Sequence, residues 1–249
     1  MGRAHNFIDR RGEKHISNEG CRFTIIKYFS KRNCTVQFED GHIKEGVNYD
    51  HIKKGAVKNY YHPSVFGVGY LGIGIYKRYI NNKSTQHYAE WKNMLNRAYS
   101  EKYKKLHPTY KDVTVCEEWK CFQIFAAWFE ENWEAHMNNS WQLDKDLLFK
   151  GNKIYSPETC CFVHQEINKL FTKSDKMRGD LPIGVSKTKG GFVAIHRNNL
   201  GTHSLPIIAF NAYKVDKEEE IKRKADEWKP LIKPNVYEAM YAYKVEITD

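Results

Sequence analysis

Residues 142–171 read QLDKDLLFKGNKIYSPETCCFVHQEINKLF, and this stretch decides how the rest of the chain is understood. Gln142–Asp144 predicts a strand, Cys160–Val163 a second strand, and His164–Phe171 a short helix. Gly151 and the pair Ser156-Pro157 supply turn residues between the strands. Asp144 closes the first strand, Asn152 sits in the loop and Asn168 rides on the helix. The expectation is that Asp144 and Asn168 face each other across the unit.

That layout bears on phosphodiester chemistry. Metal-dependent DNA hydrolysis needs a divalent cation at the scissile phosphate and a base that activates water. An acid at a strand end and an amide on a facing helix suit the metal. The segment resembles the HNH endonucleases, the His-Me finger group, in the form common in phage genomes. Asp144 matches the family's acid, Asn152 its loop Asn and Asn168 its helix Asn. Lys145 stands where the family has its base histidine, and Asp146 is an additional acid beside it. The resemblance implies a catalytic group of Asp144, Lys145 and Asn152, with Mg²⁺ held by Asp144, Asp146 and Asn168. Lysine at pH 7 is a cation, and flanking carboxylates favour its charged form, so it is a poor general base. Hydrolysis is therefore expected to be weak or lost. His164, at the start of the helix, is the nearest other imidazole.

Downstream, Pro182–Ser186, Gly191–Arg197 and Ser204–Phe210 read as three short strands. Their turns are Lys189-Gly190-Gly191 and Asn198-Asn199-Leu200-Gly201. Val215–Trp228 follows as a charged helix burying Ile221, Ala225 and Trp228, then a helix over Asn235–Tyr243 and a terminal strand, Lys244–Ile247. The unit from Leu181 to Trp228 resembles an AP2 DNA-binding domain, a three-stranded sheet packed on one helix. That resemblance implies contacts to base edges and phosphates from Lys187, Lys189, His196, Arg197 and Asn198. Glu218, Glu219 and Glu220 among the helix lysines suit a helix on the back of the sheet rather than one in a groove.

Upstream, Tyr88, Trp91, Leu95, Ala98 and Tyr99 recur at helical spacing and predict a helix over Thr85–Tyr99. Trp119, Phe122, Phe125, Ala126, Phe129 and Trp133 do the same over Glu117–Trp133. This periodicity makes the aromatics core residues rather than base-stacking platforms. His107-Pro108-Thr109-Tyr110 interrupts the two helices. Tyr88–Tyr99 and Tyr110–Trp128 extend the resemblance to phage proteins of the HNH and AP2 types. The Gly-rich stretch FGVGYLGIGIYKRY lacks a Gly-Lys-Ser/Thr sequence, so it reads as an irregular connector and not a phosphate loop. From Gly20 to His62, strands at Phe23–Tyr28 and Cys34–Phe38 precede short segments at Gly46–Tyr49 and Val57–Tyr61. Four or five short strands in so few residues suggest an SH3-like barrel.

Composition narrows the function classes. The chain has 249 residues and a formal charge of +10, which points to nucleic acid as partner. Aromatics at 14% exclude a disordered basic tail. No apolar run suggests a membrane span or a signal peptide, and the opening MGRAHNFIDRRGEKH is polar. The six cysteines include no Cys-x₂-Cys pair, so zinc is not expected and reduced thiols are. The resulting expectation is an α+β chain in three parts: a small SH3-like β-barrel over 1–65, an aromatic helical segment with the ββα finger over 66–178, and an AP2-like module over 179–249. Its expected role is binding double-stranded DNA in the cytoplasm of a phage-infected bacterial cell. Two rivals stand beside it: an active Mg²⁺-dependent endonuclease, and a phage protein that binds and blocks a host defence protein.

Overall fold

The computed structural model describes residues 8–172, 180–247 and 249; the polar opening at 1–7 and the module boundary expected at 178/179 lie outside the described residues. The chain divides into two compact units, Met1–Ala127 and Trp128–Asp249.

The first unit opens with an antiparallel meander of β1 (Lys14–Ile16), β2 (Arg22–Ser30), β3 (Asn33–Phe38) and β4 (Ile43–Val47), in that spatial order. Alternation sends Phe23 and Ile25 of β2 to one face, where they meet Cys34, Val36 and Phe38 of β3. Tyr49 and Ile52 of α1 (Tyr49–Lys53) and Val57 complete this core. The Asn48 side chain ends β4 and caps α1 by accepting the Asp50 N–H at 2.8 Å. The strand expected over Gly46–Tyr49 is therefore cut short by a helix. The strand expected over Val57–Tyr61 is absent. Buried Asn59 instead donates its amide to Asp40 at 2.6 Å and accepts the Tyr61 N–H at 2.9 Å, a local turn that competes with a sheet ladder. Without that fifth strand the sheet stays open and no barrel closes among the described residues.

The Gly-rich connector is irregular, as its sequence suggests, and leads into the hairpin β5 (Tyr79–Ile80) and β6 (Lys83–Ser84). Asn81 and Asn82 both adopt positive φ at its tip, the conformation a two-residue primed turn requires. Next come α2 (Gln86–Tyr99), α3 (Glu101–Leu106), β7 (Thr114–Val115) and α4 (Phe122–Asn132). The helix expected over Glu117–Trp133 is shorter, because a 3₁₀ turn at Glu118–Lys120 gives way to extended backbone at Cys121. Trp91, Leu95 and Ala98 of α2 are fully buried, and the Trp91 indole donates to the Trp119 carbonyl at 2.7 Å. Trp91 also packs on Phe122 with ring centroids 5.5 Å apart. Each such aromatic contributes about 1.5–3 kcal/mol by leaving water, which is why the helical stripe dictates this core.

The second unit contains β8 (Trp141–Asp144), β9 (Ile154–Tyr155), β10 (Cys161–His164), α5 (Gln165–Leu170), β11 (Val185–Thr188), β12 (Gly191–Ile195), β13 (Asn199–His203), α6 (Pro206–Trp228) and α7 (Pro234–Ala242). Phe129 and Trp133 pack on Phe162 of β10 with centroids 5.2 and 5.0 Å away. β11, β12 and β13 form a three-stranded antiparallel sheet. Val185 and Ala194 from it are buried with Ala209, Phe210 and Tyr213 of α6. Two expectations are corrected here. The third strand is Asn199–His203, which overlaps the turn expected over Asn198–Gly201, and Ser204–Phe210 leads into and opens α6. Pro206 lies in the first turn of that helix, where its missing N–H costs nothing, and the apolar residues after it supply a helix face. Lys244–Ile247 forms no strand, although Val245 is buried against the α6 core. Among the described residues no helix is long and apolar enough to cross a membrane.

Candidate functional site

The finger is a strand–loop–strand–helix unit. β8 and β10 pair antiparallel with Asp144 opposite Cys161 and Gln142 opposite Val163. Trp141 and Leu143 are buried from one strand, and Cys161, Phe162 and Val163 from the other. Ile167, fully buried, anchors α5. His164 caps that helix: its Nδ1 accepts the Glu166 N–H at 3.4 Å, and its ring stacks on Trp228 at 4.4 Å. The imidazole that sequence reading left as an alternative base is thus engaged as a cap.

Asn168 reaches β8 and donates its amide to Gln142 Oε1 at 2.8 Å. Gln142 and Asp144 lie two residues apart on one strand, so they share a face. Asn168 therefore meets that face at Gln142, one step away from Asp144. Asp144 Oδ1 accepts the backbone N–H groups of Asp146 at 2.8 Å and Leu147 at 2.7 Å. Burial pushes the Asp144 carboxyl up from the ordinary carboxylate value, against the pull of those two N–H groups.

Lys145 points the other way and its side chain is buried. Its Nζ donates to Asp146 Oδ2 at 2.6 Å and to the Asn152 carbonyl at 3.1 Å, and lies 6.0 Å over the Tyr155 ring. Asn152 answers by donating Nδ2 to the carbonyls of Lys145 at 2.8 Å and Ile154 at 2.7 Å. An ammonium offers donors only, so Lys145 itself gives a neighbouring water no acceptor for its proton.

A Mg²⁺ site would need Asp144, Asp146 and Asn168 to turn oxygen atoms toward one point. Here Asp146 faces an ammonium, Asp144 holds its own loop and Asn168 spends its amide on Gln142. As arranged, each of the three side chains is held by a different partner. Among the described residues no three His, Cys, Asp or Glu side chains gather closely enough to hold a metal. Burial pushes the Cys160 thiol up to about 12 and the Cys161 thiol well above its ordinary value.

The C-terminal sheet distributes its candidate contacts unevenly. Lys187 pairs with Phe192 and His203 in one cross-strand row, and Phe192 packs toward the α6 core. Lys189 is exposed in the turn after β11. At the opposite end of the sheet, His196, Arg197 and Asn198 share one turn. His196 is held by Asp216 at 2.6 Å and Glu220 at 2.9 Å, and Arg197 pairs with the other oxygen of Glu220. Lys217 stands 3.6 Å from the same carboxylate, and burial pushes its ammonium down despite that neighbour. Asn198 is exposed, and its carbonyl accepts the His196 N–H at 3.2 Å. The row next to that of Lys187 carries Ser186, buried Val193 and Thr202, with no Lys or Arg. Sequence reading missed Glu220 as the buried centre of this network. Its only signal was a run of three acids on a helix otherwise rich in lysine.

Charge divides sharply between the two units. Met1–Ala127 carries 22 Lys and Arg against 12 Asp and Glu, while Trp128–Asp249 carries 18 against 18. The whole excess of +10 thus belongs to the first unit. No protein-family model, curated protein or solved structure matches this chain.

Proposed function

We propose that this chain is a double-stranded DNA-binding protein of phage HNH/AP2 endonuclease descent whose finger has lost hydrolysis. The observation that carries this reading is the lysine clasp: where a nuclease finger needs an acceptor for a proton, a buried ammonium is tied to Asp146 and to the Asn152 carbonyl. The strand–loop–strand–helix layout around it supports the descent, and the sheet carried on α6 supports the AP2-like part of the assignment. The excess of +10 supports a polyanionic partner. Fluorescence anisotropy with a labelled duplex, repeated across a salt series, tests the reading. Binding that weakens steeply with salt is expected. No binding at tens of micromolar in low salt would refute it.

One observation favours a second reading for part of the chain. The unit Trp128–Asp249 has no net charge and one row of its sheet is uncharged. A surface of that kind suits a protein target, such as a host defence enzyme, better than a phosphate backbone.

A further inference from the structure

We infer that the first unit holds a binding groove for single-stranded nucleic acid, formed by Tyr60, Tyr76 and Tyr79 with Lys44, Lys77 and Arg78. The inference rests on the nucleic-acid reading above and adds a contact apart from the finger and the C-terminal sheet.

The groove is two adjoining depressions of about 440 and 270 Å³ that share Tyr60 and Ile73. Tyr76, Lys77, Arg78 and Tyr79 line the larger, and Lys44 and Lys58 line the smaller. Its floor is tied down. The Gly72 N–H donates to the Tyr60 carbonyl at 2.8 Å. Gln123 brackets Tyr76, accepting its N–H and donating to its carbonyl, both at 3.0 Å. Gly72 takes a φ of 69°, and a Cβ there would fall 2.6 Å from Cys121 Sγ, so only glycine lets the strap lie this close.

Large apolar side chains stand in solvent around this floor. Ile73 is 66% exposed, Ile75 84% and Tyr79 52%, while Tyr60 is 38% exposed. The β5–β6 hairpin adds Ile80 and Lys83 at its tip. Cations alternate with the rings: Lys44 Nζ lies 4.4 Å from the Tyr60 ring centre and the Arg78 guanidinium 5.9 Å from that of Tyr79. An exposed apolar strip costs solubility unless it serves contact. Its occupant must tolerate a unit with an excess of ten positive charges, which excludes a basic partner. Rings that accept a flat face, interleaved with cations spaced along a groove, match unstacked bases joined by phosphates. Duplex DNA hides those base faces, so the groove fits a single strand.

The test uses the full chain and three labelled probes followed by anisotropy: oligothymidine, a duplex of mixed sequence, and polyglutamate. Wild type is expected to bind oligothymidine. Tyr60→Ala and Tyr79→Ala should each weaken that binding by roughly tenfold or more, the usual cost of removing a stacking ring. Tyr79→Phe, which keeps the ring, should bind as wild type does, and duplex binding should change little in all three variants. A thermal melt confirms that each variant is folded. Photocrosslinking of wild type to iodouracil-containing oligonucleotide gives an independent readout, with crosslinks expected on Tyr60, Tyr76 or Tyr79. Duplex binding without oligothymidine binding, or crosslinks confined to residues away from the groove, would overturn the groove and leave the DNA reading standing. Equal affinity for polyglutamate, insensitive to both alanine variants, would reduce the groove to plain charge attraction and also overturn it. Failure of both nucleic acids to bind would remove the DNA reading and the groove together.

Discussion

Lys145 and Asn152 clasp each other reciprocally: the lysine ammonium donates to the Asn152 carbonyl at 3.1 Å, and the Asn152 amide donates to the Lys145 carbonyl at 2.8 Å. Side chain and backbone of each residue are bound by the other, which closes the loop between β8 and β9. Lys145 and Asn152 thus close a loop around a buried cation.

The first prediction is catalytic. Wild type is expected to leave supercoiled plasmid uncut with Mg²⁺ or Mn²⁺, since a missing general base costs about 10²–10⁴-fold in rate. Lys145→His tests whether the scaffold lacks only that group. Efficient nicking by wild type that disappears in Asp144→Ala would establish an active nuclease instead.

A second prediction concerns stability. Asn152→Ala removes two donated hydrogen bonds and the one accepted from the Ile154 N–H, while the Ile154 carbonyl keeps the Thr159 hydroxyl. A loss of about 1–3 kcal/mol is expected. Calorimetry should show a transition lower by roughly 2–12 °C. Hydrogen exchange should localise the change to residues 145–155. An unchanged melting curve would show that the clasp is dispensable.

Asp144 supports a pH-dependent prediction. Its folded carboxyl titrates above the ordinary 3.8 because burial opposes its charge. A raised carboxyl favours the protonated folded state, so its relative benefit is full below 3.8 and is lost as pH rises through the folded value. At neutral pH the buried charge is a burden. Asp144→Asn keeps the oxygen that accepts from Asp146 and Leu147 and removes that charge. The variant is expected to be more stable than wild type at pH 7, with the difference vanishing toward pH 3. Denaturant unfolding at several pH values checks the sign.

Glu220 supplies the fourth. It is buried and faces His196, Arg197 and Lys217. Glu220→Ala leaves His196, Arg197 and Lys217 without their shared carboxylate and is expected to cost about 1–3 kcal/mol, less than a fully buried pair because Arg197 is largely exposed. Arg197→Ala should therefore act mainly on stability and little on DNA affinity. A large loss of affinity at unchanged stability would return Arg197 to the role that the AP2 resemblance implied.

The local pattern of the chain was enough to determine the helix over Gln86–Tyr99 and the strand pair of the finger. Tyr88, Trp91, Leu95 and Ala98 can share one buried face only as a helix, and the runs flanking the 145–160 loop can pair only as a hairpin. Pro206 was a local signal for a helix start as well, but the apolar run after it resembles a strand until a facing sheet is present to bury Ala209 and Phe210. Tertiary structure decided the rest. Asn59 turned toward Asp40 instead of joining a ladder, nineteen residues away in sequence, and so left the sheet open. Glu220 drew in His196 from twenty-four residues upstream. The partners of Lys145 depended on how one loop folded back on itself. Hydrophobic periodicity is written along the chain and reports which face is buried. The partner of a polar group depends on which distant atoms arrive beside it, and only the folded chain brings them there.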